Sequence, residues 1–375
     1  VDSLFFYGSL RHRPLLDLVL GAADDVQITP ATLMDHAIYW AKDQAFPLIL
    51  SEPGAVAQGL HVSGLSKTDV ARLDFYEGGF DYALRPVTVD TGDGPRGALV
   101  YFSEPGRWSE GELWSLAKWE QDWAEISLRA AAEAMDQFGN IDATELARWM
   151  PQIRMRAVSW WRARNTLTAM AWRHGFTETD VTVEAKARPH CKFFAVEEQR
   201  LRFRRFDGTM SAPVERAAFV TADAVTVLPY DPVRDRVLLI EQFRFGLWIR
   251  GDRHPWCIEP IAGRIDPGET PEQCAHREAM EETKVTLKRL EPVANYYPTT
   301  GALSEYLFSF IGIADLPDDI TGIGGEESEA EDIRSLLLSF AQLQALLESG
   351  EAENGPLILS ALWLAANRSR LRGGA

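Results

Sequence analysis

Short apolar runs broken by Gly, Pro and Asp mark the first hundred residues: SLFFYGSL, ATLMDHAIYW, RPVTVDT and GALVYF. Runs of this length bounded by turn formers predict strands, so residues 1–105 read as a β-rich domain with a little helix. The pattern changes after SEPGRWSEGE. From Leu113 to about Trp172, Gly and Pro nearly vanish and Trp, Leu, Ala and Met recur every three or four residues, the period of a helix packed along one face. This predicts a helical connector over 106–180, with Trp114, Trp119, Trp123, Trp149, Trp160, Trp161 and Trp172 as packing residues. Strands return from about Val181 in CKFFAVEEQRLRFRRF, ERAAFVTADAVTVLPYD and DRVLLIEQFRF, the last two joined by a hairpin turn at Asp231 to Asp235. WCIEPIAG reads as a strand running into a loop. PEQCAHREAMEET reads as a helix with Thr270 as its cap and Pro271 in its first turn. Strands in NYYPTT and YLFSFIGIAD follow, and FAQLQALLESG and PLILSALWLAANRSRL close the chain as helices. The fold class is mixed α+β in three parts, with residues 181–375 as the last domain.

A chain of 375 residues holds at least two cores. The net charge of −17 argues against a nucleic-acid or anionic-membrane surface, so an anionic ligand needs local help from arginine or a metal. Cys191, Cys257 and Cys274 show no paired spacing, which predicts small core or surface residues rather than a disulfide framework. No apolar run is long enough to span a membrane. The opening VDSLFFYGSL lacks the basic and apolar regions of a signal peptide, so a cytoplasmic location is expected.

The stretch GRIDPGETPEQCAHREAMEETKV, from Gly263 to Val285, carries the densest chemistry. Glu278 and Glu282 are four apart on one helix face, with Glu281 close to both. Converging carboxylates suit a hard cation such as Mg²⁺ shared with a substrate phosphate; a solvated acidic face is the alternative reading of the same spacing. Gly263 and Gly268 let the backbone, including the Ala262 carbonyl, approach that spot, and Arg277 is placed to neutralise or orient a carboxylate.

The stretch resembles the Nudix hydrolase signature G-x5-E-x7-R-E-U-x-E-E-x-G-U, in which U is aliphatic. Gly263, Glu269, Arg277, Glu278, Glu281, Glu282 and Val285 fall on the pattern, and Lys284 stands where the last glycine would be. A left-handed backbone there costs a non-glycine residue about 1 kcal/mol. The flanks LPYDPVRDRVLLIEQFRFG, IEPIAGRIDPGE, YYPTTGALSE and ESEAEDIRS resemble the ADP-ribose pyrophosphatase branch. The resemblance implies an α/β/α sandwich that cuts ADP-ribose or a related nucleoside diphosphate sugar into AMP and ribose 5-phosphate. It implies two or three Mg²⁺ ions, with Mn²⁺ as the substitute, held by Glu278, Glu282 and the Ala262 carbonyl with Glu281 near. Arg216 and Arg244 would hold the substrate, Phe193 would stack on adenine, and Pro298 would mark ADP-ribose users. A loop glutamate, Glu329 or else Glu331, would activate water, and the pocket would be completed in a homodimer. Gly324-Gly325 ahead of that loop predicts mobility.

FFYGSLRHRP and LDFYEGGFDY resemble the gamma-glutamylcyclotransferase-like family, a small β-barrel-like fold. By that resemblance Tyr7, Gly8, Ser9 and Leu10 cradle a carboxylate, and Glu77 moves a proton as a gamma-glutamyl amine attacks its own side-chain carbonyl. The pairing of the two domains resembles tellurite-resistance-associated proteins. Two rival readings stand beside a hydrolase: a regulator that binds ADP-ribose without cutting it, and a cyclotransferase supported by a Nudix domain.

Overall fold

The computed structural model describes residues 3–21, 25–79, 82–167, 169–325 and 331–373, and the chain divides into two compact units, Val1–Ala217 and Ala218–Ala375. In the first, β1 (Ser3–Phe6), β2 (Gln27–Ala41), β3 (Pro47–Ser63), β4 (Tyr82–Asp90) and β5 (Pro95–Ser103) pair in the order β3-β1-β5-β4-β2. β2 then pairs back onto β3 over most of its length, closing the barrel, and β6 (Glu110–Leu113) adds to β2. Closure leaves the five strands without an open edge. Leu4, Phe5, Val62 and Val100 fill the interior together with Leu15 and Leu16 of α1 (Arg13–Leu20) and Leu73 of α2 (Lys67–Glu77).

α3 (Leu116–Met135) and α4 (Ala143–Asn165) bury Trp119, Ala131, Leu146 and Ile153 in this same core, so residues 106–180 fall wholly within the first unit. The tryptophan stripe is packing as far as α4 runs: Trp114 and Trp119 are buried and Trp123 and Trp161 lean on the core. Trp172 departs from the expectation and is fully exposed. The helix stops earlier because Asn165 and Thr166 turn their side chains back onto the carbonyls of Trp161 and Arg162.

Next come β7 (Val181–Cys191), β8 (Ala195–Phe203) and β9 (Val214–Val220), a three-stranded sheet in that order. The expected single strand through CKFFAV breaks, because Cys191 pairs with Ala195 and leaves Lys192 to Phe194 as a turn. A buried ion cluster ties this hairpin to the helices. Arg156 Nε donates to Glu133 at 2.8 Å, and Arg156 Nη1 donates to the carbonyls of Lys192 and Phe193. Arg188 donates to Glu197 at 2.8 Å and to Asp136 at 3.0 Å. Cys191 lies 3.3 Å from Glu133, and burial pushes its thiol up to about 12. All three cysteines are buried and unbridged, as their spacing predicted.

The second unit is built on β10 (Ala224–Asp231) and β11 (Arg236–Phe243), joined by the expected hairpin. Asp231 fixes the turn by accepting from the backbone N–H groups of Val233 and Arg234. After α5 (Phe245–Arg250), the strand expected in WCIEPIAG is two short strands split at Pro260: β12 (Trp256–Glu259) on β11 and β13 (Ile261–Arg264) on β10. α6 (Pro271–Thr283) leads to β14 (Leu287–Tyr296), β15 (Leu307–Ala314), β16 (Ile323–Gly324) and β17 (Ile333–Ser339), then α7 (Phe340–Ser349) and α8 (Gly355–Gly373). The sheet order is β14-β15-β10-β11-β17-β16. Alternation along β10 and β11 separates two cores. Val225, Val227, Leu238 and Ile240 meet Cys274, Ala275 and Ala279 of α6. Leu228, Tyr230, Val237 and Leu239 meet Leu343 of α7 and Leu357, Ala361 and Leu364 of α8. This is the expected α/β/α sandwich. Among the described residues, no helix is long and apolar enough to cross a membrane.

Candidate functional site

α6 starts where the sequence requires: Thr270 caps Gln273 N–H while Gln273 reaches back to the Thr270 N–H, with Pro271 in the first turn. It ends on Lys284 at φ +58°, the left-handed position where the signature has glycine. Between these ends the helix gathers the carboxylates, and Arg277 answers their crowding. Its guanidinium holds Glu269 through two bonds of 2.9 and 3.0 Å, Glu278 at 2.7 Å, Glu281 at 2.8 Å and the Arg264 carbonyl at 3.0 Å. Burial alone would lower the Arg277 pKa, but these carboxylates hold it well above its ordinary value. Gly263 is a required close approach: a Cβ there would stand 1.8 Å from Glu278 Oε1, inside the space the carboxylate fills. The Ala262 carbonyl belongs to β13, which pairs Ala262 with Thr226 on β10.

Glu282 is the unsatisfied member. It is 3% exposed and, among the described residues, its Oε2 is buried without a hydrogen-bond partner. Burial, together with the charges of Glu278 and Glu331 and against the opposing Arg244, pushes its carboxyl up to about 9. Among the described residues, no three acidic, His or Cys side chains already converge as a metal cluster, since Arg277 draws Glu278 and Glu281 to itself. Yet an orphaned buried carboxylate oxygen under the charge of two further carboxylates, Glu278 and Glu331, fits a hard divalent cation.

Glu329 lies outside the described residues, and Glu331 is half-buried. The Gly324-Gly325 pair sits in close packing. A Cβ on Gly324 would lie 2.1 Å from the Glu282 carbonyl oxygen, and Gly325 takes φ +106° against Glu331. Arg244 Nε donates to Glu259 at 2.6 Å, and Asn354 donates to the other Glu259 oxygen at 3.2 Å. Sequence reasoning missed Glu259 and Asn354; a lone carboxylate inside the apolar run WCIEPIAG was the available signal. Pro298 stands exposed in the loop after β14. Phe193 and Arg216 belong to the first compact unit. Phe193 is 53% exposed in the β7–β8 turn. Arg216 is exposed on β9 and lines a cleft with Lys186 and Arg200.

The first unit brings its predicted residues together. Tyr7, Gly8, Ser9 and Leu10 line one cleft with Glu77, Phe46, Pro47, Tyr82 and Tyr101. Tyr7 OH donates to the Tyr101 carbonyl, and Tyr101 OH donates to Asp74 at 2.6 Å. Glu77 is the last residue of α2, and burial, opposed by Arg154, pushes its carboxyl up to about 7. A carboxyl that gains and loses its proton near neutrality suits acid/base work.

The family profiles follow the same division. The gamma-glutamyl cyclotransferase, AIG2-like profile matches residues 4–123, and the NUDIX domain profile matches residues 220–360. The chain is 36% identical over 197 residues to the ADP-ribose pyrophosphatase of Escherichia coli, covering 52% of this chain and 93% of that protein. It is 30% identical over 199 residues to the ADP-ribose pyrophosphatase of Haemophilus influenzae, covering 91% of that protein. The GDP-mannose pyrophosphatase of Escherichia coli is 32% identical over 145 residues, 39% of this chain and 74% of that protein. With nearly the whole length of two such relatives reproduced and the signature carboxylates gathered around Arg277, the chain belongs to the Nudix hydrolase family and carries an AIG2-like gamma-glutamyl cyclotransferase domain ahead of it.

Proposed function

We propose that the protein hydrolyses the diphosphate of ADP-ribose, releasing AMP and ribose 5-phosphate, with Mg²⁺ as the working cation and Mn²⁺ as its substitute. The observation that carries this reading is Glu282: a buried carboxylate with an orphaned oxygen, pressed by Glu278 and Glu331, on a chain that shares 93% of an ADP-ribose pyrophosphatase's length. Glu278, Glu282 and the Ala262 carbonyl would hold the cation, with Glu281 near. When bound, the cation offsets the diphosphate's charge and makes a water more acidic. Arg277 keeps the carboxylates in place. Arg244, braced by Glu259, meets the phosphate oxygens, and Arg216 and Phe193 supply the second arginine and the face for adenine. Glu329 takes the proton from the attacking water, with Glu331 as the alternative base. Pro298, downstream of the signature, marks ADP-ribose as the preferred substrate. We assign the hydrolase domain to 181–375, because a match of 197 residues is longer than the second unit and must reach back into the first. A homodimer in the cytoplasm, where nucleotide sugars are made and used, completes the reading.

The deciding experiment incubates the protein with ADP-ribose, GDP-mannose and related nucleotide sugars plus Mg²⁺ and identifies products. AMP and ribose 5-phosphate from ADP-ribose, lost in Glu329→Gln through turnover rather than Michaelis constant, are expected. A panel on which no diphosphate is cut would overturn the reading and leave a binding regulator.

The cleft that joins Glu77 to Tyr7–Leu10 supports a second activity. There the substrate's own amine nitrogen bonds its gamma-carbonyl carbon, and the bond to the departing amine breaks. Glu77 carries the proton from one nitrogen to the other, yielding 5-oxoproline and a free amine without metal. Product formed in the presence of a chelator, and lost in Glu77→Gln, is the expected result.

A further inference from the structure

The cyclotransferase profile stops at residue 123, yet α4 packs against α2, the helix that ends on Glu77. A Cβ on Gly79, two residues past Glu77, would lie 2.1 Å from the Ala143 carbonyl oxygen and 2.7 Å from Ala147 Cβ. The chain leaving the Glu77 helix therefore lies directly on the first turns of α4. Arg154 follows Ala147 by seven residues, two turns on along the same face. Its guanidinium sits 5.4 Å from the centre of the Phe46 ring, which lines the cleft. Its charge is felt by Tyr76, Glu77 and Tyr82.

Arg154 is unlike Arg156, two residues on, which is satisfied by Glu133 and two backbone carbonyls. Half-buried, Arg154 makes no hydrogen bond or ion pair among the described residues, although a guanidinium carries five donors. A positive group held over an aromatic wall of a cleft, with its donors unspent, is placed to receive an anion.

We propose that Arg154 is a specificity-determining residue, contributed from outside the cyclotransferase segment, that selects substrates carrying a carboxylate on the departing amine. The proposal rests on the reading that the cleft accepts gamma-glutamyl compounds. Glu77 and the Tyr7–Leu10 loop then handle the gamma-glutamyl end, and Arg154 handles the far end from the α4 side. A neutral tail leaves the guanidinium unpaired, whereas an anionic one pairs with it.

The test uses the full chain with a chelator present and two probes that share the gamma-glutamyl group: gamma-glutamylglycine, with a tail carboxylate, and gamma-glutamyl methylamide, with none. The wild type should favour gamma-glutamylglycine about tenfold through the Michaelis constant. Arg154→Met should erase that preference, read as the ratio of the two probes' Michaelis constants so that any change in Glu77 common to both cancels, and Arg154→Lys should restore part of it. Equal loss on both probes in Arg154→Met, or no preference in the wild type, overturns the proposal. If neither probe is turned over, calorimetric binding separates the two ideas. Gamma-glutamylglycine bound by the wild type and lost in Arg154→Met keeps the Arg154 site and removes the catalytic reading. Binding of neither probe removes both.

Discussion

At the scale of single residues, the two acidic groups that matter most sit in opposite situations. Glu282 is buried among other carboxylates and needs a cation; Glu77 is buried beside a cleft, with Arg154 favouring its charge. Glu282→Gln keeps the shape but removes the charge that a cation would meet. It should lower diphosphate turnover about a thousandfold or more, since the cation supplies several kcal/mol of transition-state stabilisation. The fold should survive, and the rise in melting temperature that Mg²⁺ gives the wild type should disappear, because that rise reflects binding to the folded state alone. Glu77 predicts a pH effect. Its folded pKa, about 7, lies above its ordinary value of 4.5, so the folded state binds the proton more tightly. Its contribution to stability is therefore full below about 4.5 and is lost as the pH rises through 7. Glu77→Gln does not titrate, so its melting temperature should gain on the wild type between pH 5 and pH 8. An unchanged difference across that range would mean that Glu77 is solvated.

At the scale of elements, legibility followed locality. The capping of α6 by Thr270 and the placement of its carboxylates lie within 23 consecutive residues, so spacing specified them, and the resemblance to the Nudix signature marked the strained Lys284. The Asp231 turn was legible for the same reason. Glu259 was not, because the residues that satisfy it, Arg244 and Asn354, lie 15 and 95 positions away. The α4 boundary was missed because Asn165 and Thr166 end the helix through side-chain bonds that leave no break in the apolar pattern. Arg154 was invisible for a related reason: nothing near it in sequence announces the Phe46 ring it meets. The Lys284 position gives a test at this scale. Lys284→Gly removes the strain of φ +58° and supplies the favoured residue at a helix C-terminus, so it should stabilise the second unit by about 1 kcal/mol. A denaturant midpoint that does not rise would show that the Lys284 side chain, which reaches the Glu281 carbonyl at 3.3 Å, compensates the strain.

At the scale of the whole molecule, the segment 181–217 serves two masters. Physically it belongs to the first unit, where Arg156 binds the carbonyls of the β7–β8 turn and Cys191 and Arg188 reach Glu133. By kinship it belongs to the hydrolase, since the match to an ADP-ribose pyrophosphatase is longer than the 158 residues from Ala218 to Ala375. No single cut should therefore yield two intact halves. Residues 1–217 should unfold cooperatively and keep the metal-free gamma-glutamyl activity, because the Glu77 cleft and Arg154 both lie within them. Residues 1–180 strip partners from a buried arginine and glutamate, and should be less stable by on the order of 3 kcal/mol. Residues 218–375 keep α6 and its carboxylates and should bind Mg²⁺; on the proposed roles of Arg216 and Phe193 as substrate holders, their removal should raise the Michaelis constant for ADP-ribose. Full hydrolysis by residues 218–375, or equal stability of the 1–180 and 1–217 fragments, would show that this segment is a passive linker.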